Sequence, residues 1–434
     1  MKFSRYLIET CTANKEHIIF STISKSIVKF SNTEYNSIIN GNTKAKLSNH
    51  DIAELLDKRI LINDTFDEDS LVDFEMTNNR IATKVFTTFL ALSTQCNFAC
   101  VYCYEKGIAS THKNVVSNEK LDELIKWYLT TLKSNAYEIC HIVLYGGEPL
   151  IQFNNFKLFI DKLKIILDKI EVKLELEMIS NGYLLDTPKL DYLVNIGLKE
   201  VQITLDGVGS VHDARRPLKN GKGTFDQIIR NIKTHLDLDV QFVIRASFDL
   251  SNIDNIAHLL EYLDHENLSD KIILYFAPVH HTISQLINKF SYCSRSVIND
   301  EESVSEALCS LYSLAKEYHF KIPYYYTDGP CMTIAKDSYL VAPDGKLYKC
   351  VEMMNIEELC VGSISEKTKR SCYYEFVSAP YLRECLKKKC IYAPICGGGC
   401  AMRAYLSKGK PGVSCQMRLL KRVNEHLLYL NFCS

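Results

Sequence analysis

The sequence predicts an α/β protein whose centre is a partial (β/α)6 barrel, similar to a TIM barrel but two units short of closure. Between residues 85 and 290, strand-like apolar runs alternate six times with helix-like segments. Such alternation is typical of a parallel sheet with right-handed crossovers, and a closed barrel would need eight units. Because the chain has 434 residues, we also expect smaller domains at both ends.

Residues 1–80 are predicted to form a separate unit with a winged-helix-like order of elements. The alternating segment HIIFSTISKSIVKF predicts a β-hairpin. The segments SNTEYNSIINGN and SNHDIAELLDKRI both begin with serine and predict short capped helices, and LIND predicts a short strand. A unit of this kind fits either the recognition of a peptide or a purely structural cap.

The central domain, residues 85–290, is predicted to contain six strands separated by helices. The strands are VFTTFLALS, HIVLYG, KLELEMIS, KEVQITLD, VQFVIRASF and KIILYFAP. The alternation then fades into a bridging region, residues 291–330, with a helix near residues 301–318. Residues 331–434 are predicted to form a cysteine-rich domain.

Unusual residues stand at the ends of the first four predicted strands. Three cysteines follow the first strand, Gly146-Gly147-Glu148-Pro149 follows the second, Ser180-Asn181-Gly182 the third and Asp206-Gly207 the fourth. Ligands of parallel α/β folds bind at the carboxyl edge of the sheet. These four turns therefore predict one pocket.

Composition excludes several classes of protein. The net charge of −1 shows no basic excess of the kind that binds nucleic acid. No apolar run approaches the length of a membrane span, and the first residues lack the apolar core of a signal peptide. We therefore expect a cytoplasmic protein with neither nucleic acid nor membrane as a partner.

Cysteine is the most informative residue type, with 17 copies. In a reducing compartment, clustered thiols are more often metal ligands or catalytic groups than disulfides. Ten lie between Cys331 and Cys433, and three form the motif C-x3-C-x2-C at Cys96, Cys100 and Cys103. Five isolated cysteines are expected to be small buried apolar residues; they are Cys11, Cys140, Cys293, Cys309 and Cys433.

The three cysteines of the loop favour an iron–sulfur cluster. Thiolates select iron–sulfur clusters, zinc or copper(I), and a structural zinc site needs four protein ligands. A cluster of four irons held by three thiolates leaves one iron free for another ligand. Three alternatives remain open, namely a zinc site completed by a distant ligand, thiols buried in a core and a redox pair formed by C-x2-C.

Together, these motifs resemble those of the radical S-adenosylmethionine (SAM) superfamily. The resemblance rests on the cysteine loop with Tyr102, on the Gly-Gly-Glu-Pro and Ser-Asn-Gly turns, and on TLDGVGSVHDARR. It implies that Cys96, Cys100 and Cys103, the first cysteine set, hold a 4Fe–4S cluster. It also implies that SAM is bound by Tyr102, Gly146, Gly147, Glu148, Ser180, Asn181, Asp206 and Arg245.

The C-terminal cysteines resemble the SPASM extension of radical SAM enzymes, which carries two auxiliary 4Fe–4S clusters. The resemblance assigns Cys331, Cys350 and Cys400 to one cluster as the second cysteine set. It assigns Cys385, Cys390, Cys396 and Cys415 to the other as the third set.

Two features of the C-terminal pattern leave alternatives open. The family has two residues between the first two cysteines of its C-x2-C-x5-C-x3-C motif, whereas four separate Cys385 from Cys390 here. The second set lacks an obvious fourth ligand, so either Cys360 or Cys372 supplies it or the site is open. Structural zinc ions are the alternative for the whole domain.

The resemblance implies a peptide-modifying enzyme. SAM would be cleaved reductively to a 5′-deoxyadenosyl radical, with the electron coming from an external flavodoxin or ferredoxin. The substrate would be a ribosomally made precursor peptide that gains a thioether or carbon–carbon crosslink, with epimerisation as a further outcome. The residues identify no catalytic side chain.

Two other functions remain as alternatives. An anaerobic sulfatase-maturing enzyme, which makes formylglycine, carries an Asp directly after the cysteine that corresponds to Cys350. Val351 stands there instead. The non-enzymatic alternative is a zinc-stabilised binding or scaffold protein.

Overall fold

The computed structural model describes residues 1–103, 105, 115–280, 296–324, 326 and 329–433. The strands of the N-terminal unit are β1 (Lys2–Phe3), β2 (Leu7–Cys11), β3 (His17–Ser21), β4 (Ile27–Phe30) and β5 (Leu61–Ile62). Its helices are α1 (Asn32–Ile39), α2 (Asn49–Asp57) and α3 (Glu68–Ile81), with a 3-10 turn at Thr43–Ala45. Strands β2, β3 and β4 form an antiparallel sheet in that order, and β1 pairs with β5.

Local sequence explains the two short helices and the hairpin of this unit. Ser31 with Glu34, and Ser48 with Asp51, form reciprocal capping boxes at the starts of α1 and α2. The predicted hairpin is confirmed as β3 and β4. In the three-stranded sheet, β4 is an edge strand with one neighbour, so its outer backbone groups face away from the sheet.

The helix α3 and the strand β2 were not predicted. Helix α3 buries Val72 together with the charged residues Glu68 and Arg80. This is not the apolar stripe that identifies an amphipathic helix. The winged-helix-like character of the unit stays a prediction.

The six predicted strands of the central domain are confirmed as one parallel arrangement. They are β6 (Val85–Ala91), β7 (Ile139–Tyr145), β8 (Lys173–Ser180), β9 (Leu198–Leu205), β10 (Gln241–Phe248) and β11 (Ile272–Pro278). They lie side by side in chain order, each paired in parallel with the next. The closure of these strands into a partial barrel stays a prediction.

Helices cover one face of this sheet. They are α4 (Asn118–Asn135), α5 (Phe153–Lys169), α6 (Thr187–Asn195), α7 (Ser210–Arg215), α8 (Phe225–Thr234) and α9 (Ile253–His265). Alternate strand residues, such as Ile142, Met178 and Ile244, join the helices in the main core. The residues between them lie on the opposite side of the sheet, which we call the inner face. It includes Tyr145, Glu177, Gln202, Arg245 and Tyr275.

The cysteine-rich region continues the central sheet, which the sequence analysis did not predict. Strand β12 (Ser338–Val341) pairs in parallel with β6, and β13 (Lys346–Tyr348) and β14 (Gly362–Ser363) follow in antiparallel order. Among the described residues after β11, the helices are α10 (Glu301–Glu317), α11 (Ser371–Ser378), α12 (Leu382–Lys387), α13 (Ala393–Cys396), α14 (Ala401–Lys408) and α15 (Met417–Phe432). Short 3-10 turns lie at Pro149–Gln152, Val351–Met353 and Glu357–Leu359.

The N-terminal unit packs against the cysteine-rich region. The hydroxyl of Thr22 donates to the carbonyl of Ile391 at 2.7 Å, and the guanidinium of Arg80 donates to the carbonyl of Val377 at 2.9 Å. Arg383 forms an ion pair with Asp73 at 3.3 Å. Within the described residues, no helix is both long enough and apolar enough to cross a membrane.

Candidate functional site

The loop after β6 holds the first cysteine set against a neighbouring segment. The backbone N–H of Ala99 donates to Pro217 at 2.8 Å, and that of Val101 donates to Arg215 at 2.9 Å. Burial raises the pKa of Cys96 to about 12, and the charge of Cys100 adds to the rise. Burial also raises the pKa of Cys103, to which Cys100 and Cys96 contribute. The three thiols therefore lie near enough to interact electrostatically.

The Gly-Gly-Glu turn after β7 packs directly against residues 93–95, which connect β6 to this loop. A Cβ at Gly146 would overlap the carbonyl oxygen of Ser93, and one at Gly147 would overlap that of Gln95. Gly146 also has φ +129°, which a side chain disfavours. Glycine is therefore required here because two backbones meet.

Glu148 ties this turn to the end of β8. Its buried carboxylate accepts hydrogen bonds from the backbone N–H of Asn181 at 2.8 Å and the hydroxyl of Ser180 at 3.0 Å. The amide of Asn181 donates to the side chain of Asn97 at 2.8 Å and lies 3.9 Å from the sulfur of Cys96. The structure thus brings the predicted residues of three turns together at the carboxyl edge of the sheet.

Asp206 and Tyr102 form a buried network beside the same loop. The hydroxyl of Tyr102 donates to one carboxylate oxygen of Asp206 at 2.9 Å, and Arg215 donates to the other at 3.1 Å. Asp206 is fully buried and supports the hydroxyl of Tyr102. The contact of Asp206 with SAM that the resemblance implies stays a prediction.

Arg216 belongs to this network, and the sequence analysis gave it no role. Its guanidinium donates to the hydroxyl of Tyr102 at 2.8 Å, but its Nε is buried without a hydrogen-bond partner in the part of the chain that the structure describes. Burial acts to lower the pKa of Arg216, whereas the charges of Tyr102, Cys100 and Asp206 raise it well above its ordinary value. A buried cation with an unmet donor suits an anionic ligand group.

A comparison with models of protein families identifies the domain to which this edge of the sheet belongs. Residues 90–263 match the model of the radical SAM superfamily. The chain carries a radical SAM domain. The matched residues contain the first cysteine set and all three turns that the structure joins to it.

Curated relatives of the chain have different activities. The GTP 3′,8-cyclase of Helicobacter pylori is 25% identical over 305 residues, which cover 67% of this chain and 89% of the cyclase. The sporulation killing factor maturation protein SkfB of Bacillus subtilis is 25% identical over 172 residues, 40% of this chain and 38% of SkfB. The serine-type anaerobic sulfatase-maturating enzyme of Klebsiella aerogenes is 23% identical over 337 residues, 70% of this chain and 76% of that enzyme.

Solved structures of radical SAM proteins share the fold. The anSMEcpe structure with AdoMet and the Cp18Cys peptide superposes with a TM-score of 0.59 at 19% identity, covering 78% of this chain and 96% of that one. Streptococcus suis SuiB bound to S-adenosylmethionine superposes with a TM-score of 0.53 at 14% identity, covering 94% of this chain and 97% of SuiB.

Outside the matched segment, the second cysteine set comes together around Cys350. Burial raises the pKa of Cys350 well above its ordinary value, and the charges of Glu352, Cys331 and Cys400 add to the rise. The pKa of Cys400 is raised by burial and by the charges of Cys331 and Glu352. Glu352 is therefore a carboxylate beside this set that the sequence analysis missed.

The third set forms a separate group. Burial raises the pKa of Cys385 to about 11, with contributions from Cys390 and Cys415. Burial raises the pKa of Cys396 to about 12, with contributions from Cys385 and Cys390. The longer spacing after Cys385 is absorbed by the end of helix α12, where the N–H of Cys390 donates to the carbonyl of Cys385 at 3.1 Å.

The alternatives for a fourth ligand of the second set pair with each other. The thiol of Cys372 donates to the carbonyl of Cys360 at 3.3 Å, and the fully buried thiol of Cys360 donates to the carbonyl of Gly362 at 3.2 Å. Their contacts are within the β13–β14 region. Among the other isolated cysteines, Cys140 is buried as expected, Cys11 is exposed, and Cys293 lies outside the described residues.

The cysteine sets suit iron–sulfur clusters in their donors and their grouping. A 4Fe–4S cluster takes each thiolate on a different iron, so its ligands surround a space and do not converge on a point. Within the described ranges, no three His, Cys, Asp or Glu side chains converge to hold a single metal ion. The ligand assignments within each set stay predictions.

Tyr145 lies on the inner face between the first and second sets. Burial raises its pKa, and the charges of Cys103, Cys350 and Glu352 add to the rise, whereas that of Arg245 lowers it. The hydroxyl of Tyr145 lies 3.4 Å from the buried carboxylate of Glu105. Burial raises the pKa of Glu105 to about 7. Tyr145 and Glu105 therefore lie between the first and second cysteine sets.

Gly399, which packs against the residue before Cys415, offers a test of the close packing beside the third set. Gly399 and Gly409 both have left-handed backbones, with φ +79° and +68°, so alanine should cost about 1 kcal/mol at each. A Cβ at Gly399 would also overlap the carbonyl of Ser414, whereas nothing lies within 4 Å of a Cβ at Gly409. We expect Gly399→Ala to cost about 1–3 kcal/mol more than Gly409→Ala. Thermal unfolding followed by circular dichroism measures both, and equal losses would contradict this packing.

Proposed function

We propose that the chain is a radical SAM enzyme that modifies a ribosomally made precursor peptide, forming a thioether or carbon–carbon crosslink or an epimerised residue. The first cysteine set would hold the SAM-binding 4Fe–4S cluster, and the second and third sets would hold two auxiliary clusters. An external flavodoxin or ferredoxin would supply electrons. The observation that carries the proposal is the pairing of β12 with β6, which places the strand before the first cysteine set in the same sheet as the strands that lead to Cys350.

The residues of the pocket have distinct tasks in this reaction. When bound, a reduced cluster at the first set supplies the electron that cleaves SAM to methionine and a 5′-deoxyadenosyl radical, which takes a hydrogen atom from the substrate. The turn at Gly146 and Gly147 leaves room for the methionine part of SAM to approach the backbone. Arg216 has a free donor for the carboxylate of SAM. The buried surroundings keep water away from the radical.

A peptide substrate is supported by the N-terminal unit. Its strand β4 is an open edge to which an extended peptide could add as a further strand. The superposition with SuiB covers 94% of this chain, whereas that with anSMEcpe covers 78%. A structure of SuiB bound to its precursor peptide SuiA superposes with a TM-score of 0.50. SkfB is likewise named as a maturation protein.

The charges of the inner face argue against a nucleoside triphosphate, although a GTP cyclase is among the relatives. Glu177 and Glu200 lie on this face, and His141 forms a pair with Glu177 at 3.2 Å. The charge of Glu177 contributes, after burial, to a raised pKa of Glu200. Arg245 is the cation nearest the carboxyl edge among the described strand residues of this face. Several phosphates would need more cations than this.

Sulfatase maturation is the second candidate, favoured by its curated relatives and by Glu352. In place of an Asp after Cys350 the chain has Val351, but the next residue is a carboxylate that pairs with His280 at 3.1 Å. A sulfatase-derived peptide containing Cys or Ser distinguishes the candidates. Formylglycine in that peptide would favour the second one.

The proposal is tested with a candidate precursor peptide, chosen from any short cysteine-rich reading frame found beside the gene. We expect the anaerobically reconstituted enzyme, with SAM and a reductant, to form 5′-deoxyadenosine together with a modified peptide. Mass spectrometry should show the loss of two hydrogens for a crosslink, or deuterium uptake from solvent for epimerisation. Formation of 5′-deoxyadenosine with an unchanged peptide would contradict the proposal.

The role of β4 is tested by Lys29→Pro in the same reaction. The N–H of Ser21 donates to the carbonyl of Ser26, and the alternation of an antiparallel pair then points the N–H of Lys29 outward. Proline removes this donor and is tolerated at a sheet edge. We expect peptide affinity, measured by fluorescence anisotropy, to fall about tenfold.

The matched control is Glu9→Pro, which removes an outward N–H from the opposite edge strand β2. We expect this variant to bind the peptide like the unmodified protein. Equal weakening by both prolines would indicate a structural cap, which is the alternative for the N-terminal unit.

A further inference from the structure

Arg245 stands on the inner face near the carboxyl end of β10. Its neighbours Ile244 and Ala246 are buried in the core shared with the helices, so Arg245 points to the other side of the sheet. In register it lies beside Thr204 of β9 and Tyr275 of β11. It is half-buried.

This guanidinium has aromatic neighbours but no counter-ion. After burial, which raises the pKa of Tyr275, the largest influence on that group is the charge of Arg245, which lowers it. The hydroxyl of Tyr275 donates to the side chain of Gln202 at 2.8 Å. Across the residues that the structure describes, Arg245 takes part in no hydrogen bond or ion pair.

The carboxylates of the inner face form no ion pair with Arg245 among the described residues. Glu200 lies four positions from Arg245 toward the amino ends of the strands, although its charge, like that of Arg245, acts on Tyr275. Glu177 pairs with His141, and both lie deeper in the sheet, toward the amino ends of the strands. Glu352 pairs with His280, which lies just after the carboxyl end of β11. An unpaired cation in a partly desolvated space is unfavourable until an anionic group joins it. The planar fork of a guanidinium matches a carboxylate with two parallel hydrogen bonds.

We propose that Arg245 recognises a carboxylate of the substrate peptide next to the residue that is modified. This deepens the proposed function and rests on it. SAM has its own candidate partner in Arg216, which touches the network around Tyr102 and the first cysteine set. Among the described residues, Arg245 forms no hydrogen bond within that network; it lies beside Tyr275 in register, and its charge acts on Tyr145, which lies between the first and second sets. The carboxylate comes from an Asp or Glu side chain or from the C-terminus of the peptide.

The test is a binding selection with synthetic peptide libraries. The holoenzyme, saturated with SAM under anaerobic conditions, is offered random peptides made once with free and once with amidated C-termini. We expect bound peptides to contain Asp and Glu over Asn and Gln by about tenfold, the scale of one charge-assisted hydrogen bond. Enrichment of the free-terminus library alone, without Asp or Glu, would assign the carboxylate to the C-terminus.

Substitutions connect this preference to the side chain. Arg245→Met should remove the preference, Arg245→Lys should retain part of it, and Arg245→Glu should favour Lys and Arg instead. The matched control is Arg230→Met, which removes an exposed arginine from the outside of α8 and should keep the preference.

Three results would overturn the proposal. An acidic preference that persists in Arg245→Met would separate the preference from this residue. A SAM affinity that falls at least about tenfold in Arg245→Met with an unchanged peptide preference would place Arg245 in the SAM pocket. If the unmodified holoenzyme enriches no peptide and leaves the precursor unchanged, the proposed function fails as well, which distinguishes that failure from the first two.

Discussion

Replacing Cys96, Cys100 or Cys103 with alanine is expected to abolish the formation of 5′-deoxyadenosine. Each thiol lies in the loop after β6, and burial together with the neighbouring thiols raises the pKa of Cys96 and Cys103. With two thiolates the loop could no longer hold a cluster that leaves a single iron open for SAM. Liquid chromatography of the reduced, anaerobic reaction measures the product, and we expect it to fall to the level without enzyme.

The matched control for this prediction is Cys309→Ala. Its thiol lies on helix α10, where it is within hydrogen-bonding distance of the carbonyl of Arg422 and apart from the three cysteine sets. We expect this variant to form 5′-deoxyadenosine at the usual rate. If a variant of Cys96, Cys100 or Cys103 kept its activity, the assignment of the first set would be wrong.

The second prediction with a large expected effect concerns the iron content of the reconstituted protein and of its cysteine variants. If each of the three sets binds a 4Fe–4S cluster, the reconstituted protein should contain about twelve irons and twelve sulfides per chain. Cys396→Ala, in the third set, should lower both values toward about eight. Cys350→Ala, in the second set, should have the same effect, because the charges of Cys331 and Cys400 act on that thiol. Iron and acid-labile sulfide assays measure both values.

Cys360→Ala provides the comparison for the iron assay. Its thiol is bonded to the carbonyl of Gly362 in the β13–β14 region, so the iron content should not change. A loss of iron in this variant would instead make Cys360 the fourth ligand of the second set. Zinc without sulfide in the unmodified protein would support the scaffold alternative.

The central sheet could be predicted because its signals are local. Each parallel strand is a short apolar run, and the amphipathic helices between them, such as Phe153–Lys169, have clear stripes. The pairing of β12 with β6 could not be predicted. It joins Leu340 to Phe89 across about 250 residues, and no pattern near either residue records the partner. Helix α3 was missed because its buried side includes Glu68 and Arg80.

The ligands of the site were easier to predict than the residues that support them. Cysteines and glycines at strand ends form short motifs that can be seen in the sequence. Gly146 is one of them, and glycine is required there because its backbone meets that of Ser93. Tyr145, Glu352 and Arg216 belong to the site through contacts between separate segments, which spacing does not reveal. For Tyr145 the sequence held a partial signal. It follows His141 and Val143 at alternate positions of β7, which places all three side chains on the same face of the sheet.

The parallel pairing of β12 with β6 joins the regions of the first and second cysteine sets in one sheet. Strand β6 leads into the loop of Cys96, and β12 with β13 leads to Cys350, so one ladder of backbone hydrogen bonds fixes the distance between them. A chain shortened before Ser338 would leave the outer side of β6 bare and ready to associate with other molecules. The C-terminal region is thus not an interchangeable module attached to a finished sheet, because strand β6 depends on it for a neighbour.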